Sequence, residues 1–185
     1  MVLNKSIITL GQGNYVEKYN IKEGDFNVLY NEINWIQPEV KMYGKIFKPL
    51  RQVSTMGKPY NYNGNNHRKE TKIPINVKIV MDKVNEISNK NYNTCIANYY
   101  PSGEAYICMH DDGEKSSDSI ATVSFGAIRK FIIQNKENNN KHIMELQDHS
   151  VLLMEGKTFQ EKWKHGINKE KKVKEPRISL TFRQY

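Results

Sequence analysis

NYYPSGEAYICMHDD, Asn98 to Asp112, reads as two short strands joined by the turn Pro101-Ser102-Gly103, the second ending in His-x-Asp. Side chains two apart on a strand share a face, so His110 and Asp112 point the same way, along with Tyr106 and Cys108. An imidazole beside a carboxylate is two-thirds of a metal site. The strand texture of this stretch continues to the end of the chain. From Asn91 onward the pattern predicts strands near 94–100, 105–112, 120–126, 129–134, 141–146, 150–154, 162–167 and 177–183. Eight short strands in so little chain argue for a jelly-roll sandwich or small barrel.

Upstream, Phe26, Leu29, Tyr30 and Ile33 fall at helical spacing behind the N-cap candidate Asp25. Val77, Val80, Met81, Val84 and Ile87 form a second apolar stripe after Pro74, and both helices are expected on the outside of the β core. Residues 1–20 are polar, with one short strand at Ile7 to Leu10. Between Gln37 and Ile73, Tyr43, Phe47, Tyr60 and Tyr62 interleave with Lys41, Lys45, Lys48, Arg51 and Lys58, broken by turn formers into loops and hairpins. Such a segment either stacks bases while meeting phosphates or simply buries the stems of irregular hairpins.

A chain of 185 residues suits one domain, and 38% apolar content with eleven Tyr suits a strand-rich globule. No apolar run approaches the ~18 residues of a membrane span, and the first residues lack a signal-peptide layout. A soluble, monomeric, intracellular protein of nucleus or cytoplasm is expected, not a secreted one. Cys95 and Cys108 are too few for a disulfide framework; both are expected reduced, one buried and one near the site. The formal charge of +8, from 28 Lys and Arg against 20 Asp and Glu, reflects either a polyanionic partner such as nucleic acid or a Lys-rich coding bias.

Among the other histidines, His67, His142 and His149 sit in loops or at strand ends and read as surface residues. His165 lies on a strand with Trp163 and Ile167, far along the chain from His110, as a ligand from a neighbouring strand would. Two His and one carboxylate leave open positions on non-haem Fe(II). In the last strand Ile178, Leu180 and Phe182 share one face, while Arg177, Ser179, Thr181 and Arg183 share the other. That polar face is either solvated or lines a cavity in which two guanidinium groups take a dicarboxylate. Asn98 and Tyr100, two apart on one strand, add neutral hydrogen-bonding groups.

With M-Y-G-K, Y-N-Y-N-G, N-Y-Y-P-S-G, H-D-D-G-E, V-S-F-G-A-I-R-K-F, the W-x-H around His165 and R-I-S-L-T-F-R in this order, the chain resembles the AlkB family of Fe(II)- and 2-oxoglutarate-dependent nucleic-acid dealkylases, most of all its animal DNA-repair branch. The resemblance runs from about Val40 to the C-terminus. It implies a mainly β (α+β) fold: a double-stranded β-helix (jelly-roll) core over 92–185, two outer helices and a nucleotide-recognition lid over 36–75. It implies that His110, Asp112 and His165 hold iron, and that Asn98, Tyr100, Arg177 and Arg183 hold 2-oxoglutarate, with O2 as the further reactant. Glu114 matches the acidic position that contacts the target base. Tyr60, Tyr62 and Asn63 match the lid over it, Tyr62 replacing what is often Phe, and Tyr43 matches the aromatic finger that fills the gap of a flipped base. Arg51 and Arg129 match polar positions on the nucleic-acid side of the pocket.

The activity so implied is oxidative demethylation of N1-methyladenine and N3-methylcytosine in DNA, releasing formaldehyde, succinate and CO2. The Lys169 to Lys174 run is either a solvated loop or a phosphate contact. Three alternatives stand beside this reading: the same chemistry on RNA or on a protein, a non-catalytic basic β-domain that binds nucleic acid, and a zinc hydrolase with Glu114 as its base. Neither Cys is placed for a four-ligand structural zinc.

Overall fold

The alternation in 177–183 decides which way the core faces. A computed structural model describes residues 3–42, 44–62, 65–67, 71–113 and 118–185. In chain order its elements are β1 (Leu3–Gly11), β2 (Asn14–Asn20), α1 (Phe26–Glu32), β3 (Val40–Met42), β4 (Lys45–Phe47), β5 (Gln52–Gly57), β6 (Tyr60–Tyr62), β7 (Asn65–His67) and α2 (Ile75–Ser88). There follow β8 (Thr94–Tyr100), β9 (Ile107–His110), β10 (Ser119–Gly126), β11 (Arg129–Asn135), β12 (Lys141–Leu146), β13 (Ser150–Glu155), α3 (Phe159–Lys162), β14 (Trp163–Ile167) and β15 (Arg177–Arg183).

A seven-stranded sheet in the order β1-β2-β13-β10-β15-β8-β5 faces a four-stranded sheet in the order β12-β11-β14-β9, and every pairing in them is antiparallel. Two short hairpins, β3–β4 and β6–β7, stand apart from them. The result is the expected jelly roll.

Both faces of the large sheet are covered, so its central strands are buried along nearly their whole length. On one face Leu29, Ile33, Val77, Val80, Met81 and Val84 of the α1–α2 layer pack on Ala97, Val123, Phe125, Ile178, Leu180 and Phe182. On the other, Ile120, Leu152, Met154 and Tyr100 meet Phe131, Ile133, Trp163 and Ile167 of the small sheet. The polar face of β15 is therefore turned inward between the sheets. Arg177, Ser179 and Arg183 are all buried there.

Local signals place the helices. Asp25 caps α1 by accepting from Val28 N at 3.0 Å. Pro74 precedes α2, and Asn89 ends it in the left-handed conformation with φ 54°. No helix among the described residues is long and apolar enough to cross a membrane.

The structure departs from the sequence reading in three places. Residues 3–20 form two strands, and β2 pairs with β13 in register from Tyr15↔Glu155 to Asn20↔Ser150, so the large sheet draws on chain far from 92–185. The strand expected over 105–112 is only Ile107–His110, because Asp111 turns the chain by accepting from Gly113 N at 3.1 Å. A one-turn helix, α3, precedes β14 where only strand was expected.

Candidate active site

His110 ends β9 and lies directly opposite His165 of β14 in the antiparallel register. Gly166 allows this close approach, since a Cβ there would sit 2.9 Å from Ile107 O and 3.0 Å from Met109 Sδ. Asp112 lies past the strand end, so strand alternation alone does not bring it in. Gln160 of α3 accepts from its backbone N at 2.9 Å, and Arg183 Nη2 donates to its Oδ1. One donor atom from each of His110, Asp112 and His165 lies within 4.8 Å of the others.

The donors are prepared for a cation. His110 Nδ1 donates to Cys108 O at 2.8 Å, which turns Nε2 toward the site, 3.9 Å from Asp112 Oδ1. His165 Nε2 is 3.5 Å from Asp112 Oδ2, and its ring stacks on Phe131 with centroids 5.4 Å apart. Burial pushes the His165 imidazole down to about 4, only partly offset by Asp112, so it is neutral at neutral pH. Burial works against the charge on Asp112, but Arg183, His165 and His110 outweigh it and hold the carboxyl below its ordinary range. Asp112 Oδ2 is buried with no hydrogen-bond partner among the described residues. A buried carboxylate oxygen beside two imidazoles fits Fe(II).

A second set of groups lies along β8 and β15, where Tyr100 pairs with Arg177 and Asn98 with Ser179. Arg177 is 1% exposed, its Nη2 donates to Ser124 Oγ at 2.9 Å, and its guanidinium lies 5.2 Å from the centre of the Tyr100 ring. Its Nε and Nη1 are buried with no partner among the described residues. Burial lowers the guanidinium to about 10, still charged at neutral pH. A buried cation with two unused donors fits a carboxylate held in a fork.

Of the sequence-predicted site residues, His110, Asp112 and His165 converge, Arg183 joins them, and Asn98, Tyr100 and Arg177 line the adjoining strands. Arg51 donates through Nη1 to Asn98 Oδ1, which puts it beside β8. Tyr43, Asn63 and Glu114 lie outside the described residues, as do the side chains of Tyr60 and Tyr62. Arg129 departs from expectation. It is a buried residue bonded to two loops, because strand alternation turns it inward with Phe131 and Ile133. Sequence reasoning missed Gln160, which carries no motif, and gave no role to Ser124 and Phe131 although both lie in V-S-F-G-A-I-R-K-F; all three act through contacts distant in the chain.

The sequence pattern of the 2OG-Fe(II) oxygenase superfamily matches residues 14–183. The DNA oxidative demethylase ALKBH2 of Bos taurus is 32% identical over 158 residues, covering 78% of this chain and 56% of its own length. The Mus musculus ALKBH2 is 31% identical, covering 79% and 66%. The alpha-ketoglutarate-dependent dioxygenase alkB homolog 3 of Mus musculus is 34% identical over 113 residues, 55% of this chain and 39% of that one. The chain thus spans less than two-thirds of the length of these curated relatives. Among solved structures, that of OsALKBH1 superposes with a TM-score of 0.57 at 17% identity, covering 80% of this chain and 81% of that one, a likeness of fold.

Proposed function

The chain belongs to the 2OG-Fe(II) oxygenase superfamily, and from that premise we propose that it is a nucleic-acid dealkylase that demethylates N1-methyladenine and N3-methylcytosine in DNA. The observation that carries the reading is that the inner polar faces of the fold hold both the His110–Asp112–His165 cluster and a buried Arg177 whose Nε and Nη1 have no partner among the described residues. Relatives named as DNA oxidative demethylases support the substrate class.

In this reading His110, Asp112 and His165 hold the iron and Arg183 keeps Asp112 ionised and aimed. Arg177 takes the distal carboxylate of 2-oxoglutarate, with Asn98 and Tyr100 beside it. Bound iron, with 2-oxoglutarate and O2, supplies the oxidation that hydroxylates an alkyl carbon on a base nitrogen, so that succinate, CO2 and formaldehyde leave. The chain's own part is to position that carbon and exclude water. A base in a duplex reaches such a pocket only by flipping, at a cost of about a few kcal/mol. Both lesions have lost their Watson–Crick pairing, which lowers that cost, and both are cationic. Glu114 is assigned to that charge, and Tyr43 to the gap in the stack. Basic side chains at Lys169, Lys171, Lys172 and Lys174 are assigned to phosphates.

The test is mass spectrometry of methylated oligonucleotides, single- and double-stranded DNA and RNA, incubated with the protein, Fe(II), 2-oxoglutarate and ascorbate. Loss of one methylene mass that requires 2-oxoglutarate is the expected result, and the ranking of strands identifies the substrate. Succinate without repair points to another substrate. Neither product from folded, iron-loaded protein leaves the binding-module alternative. Replacing His110 or Asp112 with Ala should abolish turnover and leave oligonucleotide binding within about twofold, since neither reaches phosphate.

A further inference from the structure

Arg129 opens β11 and is 1% exposed. Its Nε donates to Glu170 Oε1 at 3.1 Å and its Nη1 to Ser102 O at 3.3 Å. Its Nη2 donates to Ala105 O at 3.0 Å and to Asn168 O at 2.6 Å. Four of the five N–H donors of a guanidinium are thus taken by protein acceptors. Those acceptors lie on two loops: Ser102 and Ala105 between β8 and β9, Asn168 and Glu170 between β14 and β15.

The two loops also touch directly. Glu170 N donates to Gly103 O at 2.8 Å and Gly103 N to Val173 O at 2.9 Å. A Cβ on Gly103 would lie 1.9 Å from Glu170 O, so no side chain fits at that crossing. Glu170 Oε1 accepts a further bond from Lys130 N at 2.9 Å. A lysine at 129 would offer one point charge where a planar fork serves four acceptors.

What this clamp adjoins is the cosubstrate side of the site. The Arg129 guanidinium lies 5.7 Å from the centre of the Tyr100 ring, the same ring that Arg177 approaches to 5.2 Å. Two buried cations over one ring repel unless one is neutralised. Glu170 neutralises Arg129, which leaves Arg177 as the cation open to an incoming carboxylate. We propose that Arg129 is a positioning residue of the cosubstrate pocket. Through Glu170, Ser102, Ala105 and Asn168 it fixes the loops around Tyr100 and so the seat of Arg177, and it touches neither 2-oxoglutarate nor nucleic acid. The inference rests on the 2-oxoglutarate reading above and removes Arg129 from the residues assigned to nucleic acid.

The experiment is calorimetric titration of 2-oxoglutarate into Mn(II)-loaded protein, wild type against Arg129→Met and Glu170→Gln, paired with steady-state kinetics on a methylated oligonucleotide. Both variants should bind 2-oxoglutarate about tenfold more weakly, the size of one coupled contact. The KM for 2-oxoglutarate should rise with them, while the KM for the oligonucleotide and kcat at saturating 2-oxoglutarate stay within about twofold. Simple loss of folded protein would lower kcat and leave both KM values alone. Should Arg129→Met fail to fold, Glu170→Gln, which removes only the charge from the partly exposed partner, carries the test. Unchanged 2-oxoglutarate affinity in folded variants, or weakened oligonucleotide binding in its place, overturns the inference alone. If the Mn(II)-loaded wild type itself takes up no 2-oxoglutarate, the functional reading falls with it.

Discussion

Arg177 and Arg183 belong to the same strand face yet have different work, and their partners separate them. Arg183 Nη2 is committed to Asp112 Oδ1, whereas Arg177 gives Nη2 to Ser124 Oγ and keeps two buried donors unused. Arg177→Gln should therefore remove a charge-assisted bond to cosubstrate worth about 1.5–3 kcal/mol, and raise the KM for 2-oxoglutarate about tenfold to a hundredfold. Initial rates against 2-oxoglutarate concentration check this, and oligonucleotide affinity should not move. The alternating Arg, Ser and Thr residues of β15 were legible because strand period two is a strong local rule, whereas His-x-Asp was legible only as a motif, its Asp112 lying past the end of β9. Gln160 and the clamp role of Arg129 were not. A side chain that bonds a partner forty-eight or forty-one positions away leaves no local pattern.

At the level of the element, β15 binds the molecule together because both of its faces are buried. Leu180, 0% exposed, packs toward α1 and α2, and Leu180→Ala should cost about 2–5 kcal/mol, read as a lower denaturant midpoint with an unchanged slope. The neighbouring strands end in a buried polar relay. Tyr92 Oη meets Ser119 Oγ, Ser119 Oγ donates to Glu155 Oε1, and Lys90 Nζ pairs with Glu155 Oε2 at 3.1 Å. Burial raises the Tyr92 phenol well above its ordinary value of 10, with Glu155 adding to it. The folded state thus keeps a proton that the unfolded chain releases above pH 10. The stability from this group is full below pH 10 and drains as pH rises further. Tyr92→Phe should flatten the fall in denaturant midpoint between pH 9 and 11, and the slope that remains is assigned to Tyr19, Tyr99 and Cys95, which burial shifts the same way. The helices were readable from capping and apolar spacing. The pairing of β2 with β13 was not, because nothing in residues 14–20 names a partner some 135 positions downstream.

Over the whole molecule, the jelly roll was visible as strand count and turn spacing, while the way its two sheets share the work emerges only in three dimensions. The large sheet has helices on one face and the small sheet on the other. Arg177, Arg183, Asn98 and Tyr100 therefore come from the sheet that is packed on both faces. The small sheet brings the two imidazoles.

One of those imidazoles sits at a margin. β9 is the outer strand of the small sheet, joined among the described residues to β14 alone, and it carries His110, while His165 belongs to β14 itself. An ion shared by the two histidines would therefore act as a rivet, fastening a strand free to fray onto its neighbour and closing a loop of chain from 110 to 165. Loading with Mn(II) should slow amide hydrogen exchange at Ile107 to His110 far more than in β10 or β15. Equal slowing everywhere, or none at β9, would show that the strand needs no such fastening. Iron supply would then govern the mechanical integrity of this edge as well as its chemistry, and a starved cell would hold a protein already loosened along β9.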